Sequence, residues 1–211
     1  MRTLLALAAF ALAACASGPP EPEWRTESHD ALQAFERAYL EGRTHVAEQE
    51  FARGRAALAA TGRADLVARA ELVRCAARVA SIDFDDCPGY QALAGDAPPA
   101  ERAYAAYLAG KAKDADVSLL PAHHRAVAAG GGGALATIED PFARLVAAGV
   151  LFRQGAIAPA DIALAVDTAS ANGWRRPLIA WLGVQEKRAQ DAGDKEAATA
   201  IRRRIGLATG E

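Results

Sequence analysis

The side chains that could do chemistry are few, and their spacing argues against most of it. His29, His45, His123 and His124 are the only imidazoles. On a helix His123 and His124 point about 100° apart, whereas two helical ligands of one ion need i, i+4 spacing. They read as polar surface residues. Ser28-His29-Asp30 has the letters of a catalytic triad, but that relay is assembled in space and sequence neighbours cannot form it. No Gly-x-Ser-x-Gly, Ser-x-x-Lys or His-Glu-x-x-His motif occurs. The tract 130–133 is four glycines without the Lys-Ser/Thr and helix start that a phosphate cradle needs, so it reads as a loop or hinge. Asp83, Asp85 and Asp86 lack the spacing of a calcium loop and read as a solvated acidic loop. Glu71 and Glu139 could nominally serve as the poised carboxylate of a hydrolase, but carboxylates on helices are usually solvated. The expectation is no catalysis, no cofactor, no metal and no small-molecule substrate.

One constellation suits binding. Trp174-Arg175-Arg176-Pro177 with Trp181 places two cations beside aromatic rings, the composition favoured at interface hot spots. Tyr104 and Tyr107 could line a neighbouring groove. The bland alternatives are a staple of Trp174 onto the following helix and a core role for tyrosines at helical spacing.

The elements that must position these residues are helices. The chain has 211 residues, 52% of them apolar, and 55 are alanine. With 24 basic against 26 acidic side chains it is far from the basic balance of nucleic-acid binders. Apolar residues recur at helical spacing over 28–42, 43–60, 64–80, 90–94, 98–110, 117–129, 140–154, 159–171, 177–192 and 194 onward. Ser28, Asp140 and Asp194 read as N-caps, and Pro141, Pro159 and Pro177 sit in first turns. Nothing alternates long enough to propose a strand. The expected fold is all-α, a stack of antiparallel helical hairpins broken by the glycine tract at 130–133.

The N-terminus has a different character. After Met1-Arg2, an unbroken apolar run from Leu4 to Cys15 is too short to span a membrane, which takes about 20 residues, but fits the core of a secretory signal. It ends in Leu12-Ala13-Ala14-Cys15, which resembles the lipobox of bacterial lipoproteins. That resemblance implies acylation of the Cys15 thiol, cleavage before it and N-acylation of the new terminus. Ala16, rather than Asp, then implies sorting to the outer membrane of a two-membrane bacterium; a periplasm-facing domain is the expected orientation, with surface exposure as the alternative. Residues 1–14 are expected to be the signal, 15–27 the lipidated cysteine and a proline-rich tether, and 28–211 the helical domain. With Cys15 acylated, Cys75 and Cys87 remain as an even pair in an oxidising compartment. A bridge there would close a loop of about 13 residues, contributing about 3 kcal/mol. Free buried thiols and a redox pair are the alternatives, though redox motifs favour Cys-x-x-Cys.

Ala38-Tyr39-Leu40-Glu41-Gly42 and Ala106-Tyr107-Leu108-Ala109-Gly110 are similar, and each is followed by small, large and small residues: Ala47, Phe51, Gly54 and Ala115, Leu119, Ala122. Their spacing is twice the tetratricopeptide period of 34, and the chain resembles a divergent array of that type, with a generic helical bundle as the alternative. The functional expectation is a lipid-anchored helical scaffold that docks an envelope protein or peptide. A structural envelope lipoprotein without a defined partner is the alternative, with a cell-wall-active hydrolase accessory behind it.

Overall fold

The computed structural model describes residues 22–111, 117–130 and 133–210. Cys15, the expected signal and most of the expected tether lie outside them. The described residues are all-α. The helices are α1 (Glu23–Leu40), α2 (Thr44–Ala59), α3 (Ala64–Ala80), α4 (Pro88–Gln91), α5 (Pro99–Leu108), α6 (Ala122–Ala128), α7 (Pro141–Arg153), α8 (Pro159–Ala171), α9 (Arg175–Asp191) and α10 (Lys195–Thr209). Short 3₁₀ turns occupy Val117–Leu119 and Ala134–Thr137.

Two expected N-caps hold. Asp140 accepts a hydrogen bond from the Ala143 amide at 2.6 Å and Asp194 one from Ala197 at 2.9 Å. Ser28 does not cap. Helix α1 already begins at Glu23, behind Pro22, and Ser28 is buried inside it with its hydroxyl donating to the Arg25 carbonyl at 3.1 Å. The extra turn exists because Trp24 packs on the cluster of Leu58, Val67 and Ala70, so residues 23–27, expected in the tether, are helical.

Helices α1 and α2 form a close hairpin. The small–large–small pattern works there: Ala47 and Phe51 are buried, and a methyl group on Gly54 would lie 3.1 Å from the Ala31 Cβ. The proposed echo downstream fails, because Leu119 is exposed in a 3₁₀ turn and Ala122 is exposed at the start of α6; Ala115 lies outside the described residues. What the two Ala-Tyr-Leu-x-Gly segments share is a helix end. Gly42 and Gly110, like Gly155, Gly173 and Gly193, take left-handed φ values between 67° and 82°. In each case the next amide bonds back to the carbonyl of a Schellman motif, as Arg43 does to Ala38 at 2.8 Å.

Helix α3 is the hub, packing against α1, α2, α5 and α7. Its crossing with α7 is so close that a methyl group at position 149 would stand 2.1 Å from the Val79 carbonyl oxygen. One residue later the Ala80 carbonyl, freed at the helix end, accepts the indole N–H of Trp181 from α9 at 3.0 Å. The α3–α7 and α1–α9 contacts run beyond nearest neighbours, so the stack of hairpins folds back on itself, unlike an open solenoid in which each repeat meets only the next. Cys75 of α3 is bonded to Cys87, with the Cα atoms 5.7 Å apart, and this ties down the acidic loop.

Gly149→Ala is expected to lower unfolding free energy by about 2–4 kcal/mol, since neither backbone can yield without losing core contacts. Gly183→Ala, at a helical glycine with nothing within 4 Å, serves as the control and leaves stability unchanged or raised. Urea titration of both variants checks this.

Candidate functional site: an aromatic-lined groove

The 3.6-residue period of α3 sends Leu72 and Val73 to one side, with Arg69 one turn before them. Glu101 and Tyr104 project from α5, and Leu119, Leu120 and Pro121 close the far wall. Between them lies a mainly apolar groove of about 400 Å³. At its rim the buried Glu101 carboxylate accepts both Arg69 Nε (2.9 Å) and Nη2 (2.5 Å), while most of the arginine stays in water. Acceptance of two guanidinium N–H groups is what allows this carboxylate to be buried while charged.

Behind the groove is an aromatic stack. The Tyr104 ring lies 6.2 Å from that of Tyr107 and 5.7 Å from His124, and Tyr107 lies 4.9 Å from His124. The Tyr107 hydroxyl and His124 Nδ1 are 3.3 Å apart. Tyr107 is fully buried and Tyr104 half-buried, and burial pushes both phenols far above their usual range. His124 is thus no surface histidine. It is buried, and desolvation, helped by His123, holds its pKa down to about 3. His123 is exposed, as expected. Glu36 of α1 belongs to the same neighbourhood. It is half-buried, and desolvation followed by the charge of Asp140 raises its carboxyl to about 7 against the opposing pull of Arg37. A lone Glu on an amphipathic helix carries no sequence signal for this; only the arrival of the α7 N-cap beside it does.

The residues singled out for binding divide. Tyr104 lines the groove and Tyr107 supports it from behind. The Trp174–Trp181 constellation is a clasp inside the fold and lines no part of this groove. Trp181 is fully buried. Arg176 donates to the Tyr39 carbonyl at 2.8 Å and to Thr44 Oγ1 at 2.7 Å, with its guanidinium 4.3 Å from the Tyr39 ring centroid. Arg175 is exposed but rests against Gly42, and Trp174 is half-buried at the edge of the core. Spacing alone does not separate such a clasp from a binding hot spot.

The other carboxylates are also placed. Glu71 is not solvated: it is buried, pairs with Arg55 at 2.7 Å, and touches Gly89 so closely that a methyl group there would lie 2.1 Å from its Oε2. Glu139 is exposed. The acidic loop is held rather than merely solvated, with Arg78 bridging Asp83 and Asp85 at 3.1 Å each, while Asp86 stays in water. Asp85 lies beside Cys75 and Cys87, but those sulfurs are bonded to each other and leave no thiolates for a metal. Comparison with known proteins gives no match: no family model, curated protein or solved structure matches the chain.

Glu36 and His124 make opposing contributions to stability. With a folded pKa raised from 4.5 to about 7, Glu36 stabilises fully below 4.5 and loses that contribution as pH rises through 7. With a folded pKa lowered from 6.5 to about 3, His124 contributes fully above 6.5 and loses that as pH falls toward 3. Between 4.5 and 6.5 the two slopes oppose. In that window Glu36→Gln is expected to make stability rise more steeply with pH than in the wild type, and His124→Phe to make it fall. Urea titrations across the range read both slopes; curves parallel to the wild type would contradict the assignment.

Proposed function

We propose that the chain is an outer-membrane lipoprotein, acylated with palmitate-type chains at Cys15, whose periplasm-facing helical domain is a docking scaffold and not a catalyst. The lipobox resemblance supports the anchor, since two or three acyl chains hold a protein at a bilayer essentially irreversibly. The observation that carries the scaffold reading is the Tyr104 groove. Apolar walls, a half-buried tyrosine and one well-bonded ion pair at the rim suit an extended apolar peptide segment of an envelope protein, anchored by side chains and oriented by polar contacts. The rigid stack beneath it lowers the ordering cost of binding.

Two experiments test this reading. Metabolic labelling with palmitate is expected to mark the wild type and to fail with Cys15→Ala; labelling of that variant would contradict the anchor. A photo-crosslinking residue at exposed Leu119 should yield one stoichiometric envelope adduct in living cells, lost when Ala100→Trp fills the groove. An adduct pattern that ignores Ala100→Trp would contradict the groove and favour a structural lipoprotein without a defined partner.

A further inference from the structure

We infer that a second groove, between α9 and the ends of α3, α7 and α8, binds an anionic single-chain amphiphile: a fatty acid bearing an oxygen function along its chain. The groove has a volume of about 420 Å³ and is separate from the Tyr104 groove. Its walls are apolar, with Ile82, Phe152, Ile157, Ile162 and Val184 facing the space. Three departures from ordinary packing converge on it.

Gly183 sits in the interior of α9, where glycine weakens a helix, yet nothing beyond its chain neighbours and its own helix backbone lies within 4 Å of where its Cβ would be. No close approach requires a glycine there; its missing side chain keeps the groove open. Ser81 is one of the lining residues, 5% exposed, and its buried Oγ has no hydrogen-bond partner among the described residues. A buried hydroxyl is rarely left unmet. Ile82 takes φ 57° at the Schellman position where five other helices of this chain use glycine. A β-branched residue is strained in that conformation, and what the strain provides is an apolar side chain in the groove wall.

The direction of the groove follows from α9. Ala180, Gly183, Val184 and Lys187 form one stripe along it. The Trp181–Ala80 hydrogen bond fixes Ser81 at the Ala180 end. Lys187 and Arg188 lie two turns further on, about 10 Å along the axis. Lys187 pairs with Asp191, whereas Arg188 has no ion pair among the described residues. A fatty acid satisfies the whole groove: its carboxylate meets Arg188 beside Lys187, its methylenes cover the apolar stripe, and an oxygen near its far end meets the Ser81 hydroxyl once rotation about χ1 turns it out of its buried position.

The test uses the full chain carrying Cys15→Ser, so that no acyl group of its own competes, and a dansyl-labelled undecanoate probe. Decanoate is expected to displace the probe and its terminal-hydroxy analogue to do so roughly tenfold better, the difference of one good hydrogen bond. A decyl trimethylammonium cation should not displace it. Ser81→Ala should erase the preference for the hydroxy chain, and Arg188→Ala should weaken both acids roughly tenfold. Gly183→Leu should abolish probe binding while keeping or raising thermal stability. Absence of probe binding, displacement by the cation as strong as by the acids, or a folded Gly183→Leu chain that still binds would overturn the proposal. Equal affinity of the wild type for both acids would overturn the role of Ser81.

Discussion

The last turn of α3 is the constraint on which the rest depends. A helix leaves its final carbonyls without intrahelical partners, and here they lie deep in the molecule. The Ala80 carbonyl is satisfied by an indole donated from α9, more than a hundred residues along the chain. The Val79 carbonyl, one residue earlier, is the surface against which Gly149 packs. Two distant helices are therefore held to the same turn, one by a directional hydrogen bond and the other by a contact that excludes any side chain larger than hydrogen. With α7 and α9 fixed there, α8 must lie between them, and Arg176 is carried to the α1–α2 turn, where it meets Tyr39 and Thr44.

Both grooves follow from this geometry. α3 runs through the middle, so the first groove opens beside its central residues Arg69, Leu72 and Val73, and the second at its C-terminal end, where α9 passes. An alanine-rich chain can bring helices unusually close, and it does so at Gly54 and Gly149. It has few large side chains with which to fill the spaces that such crossings leave. Aromatic residues gather at both grooves: Phe152 lines the second with Trp181 against it, and Tyr104 lines the first with Tyr107 and His124 behind it. The titratable groups with the most displaced pKa values cluster behind the first groove because that is where desolvation is strongest.

Much of this was legible in the sequence, and the division between legible and not is physical. Asp140-Pro141 and Asp194 announce helix starts through local hydrogen bonds, the Gly-terminated segments announce helix ends through local backbone geometry, and the all-α class follows from periodicity. The pairing of Cys75 with Cys87 depends on a short loop. Tertiary facts were illegible. Periodicity shows that Trp181 lies on an apolar face of α9, but not that Ala80 waits for its N–H. Nothing near His124 in sequence shows that Tyr104 and Tyr107 will cover it. Glu36 acquires its perturbed acidity only when Asp140 arrives from the far side of the fold. The apparent repeat at Leu119 and Ala122 shows the converse error, since small residues are so common here that their spacing alone carries little information.

Native-state hydrogen exchange tests the central claim most directly. If the end of α3 is the point from which packing radiates, amides of residues 75–80 in α3 and 145–150 in α7 will exchange only through global unfolding, with the same denaturant dependence as the whole chain. Amides of α10, which packs chiefly on α9, will open with a lower free energy and little denaturant dependence. Exchange from the end of α3 as ready as that from α10, or an α7 that opens independently of α3, would contradict the account.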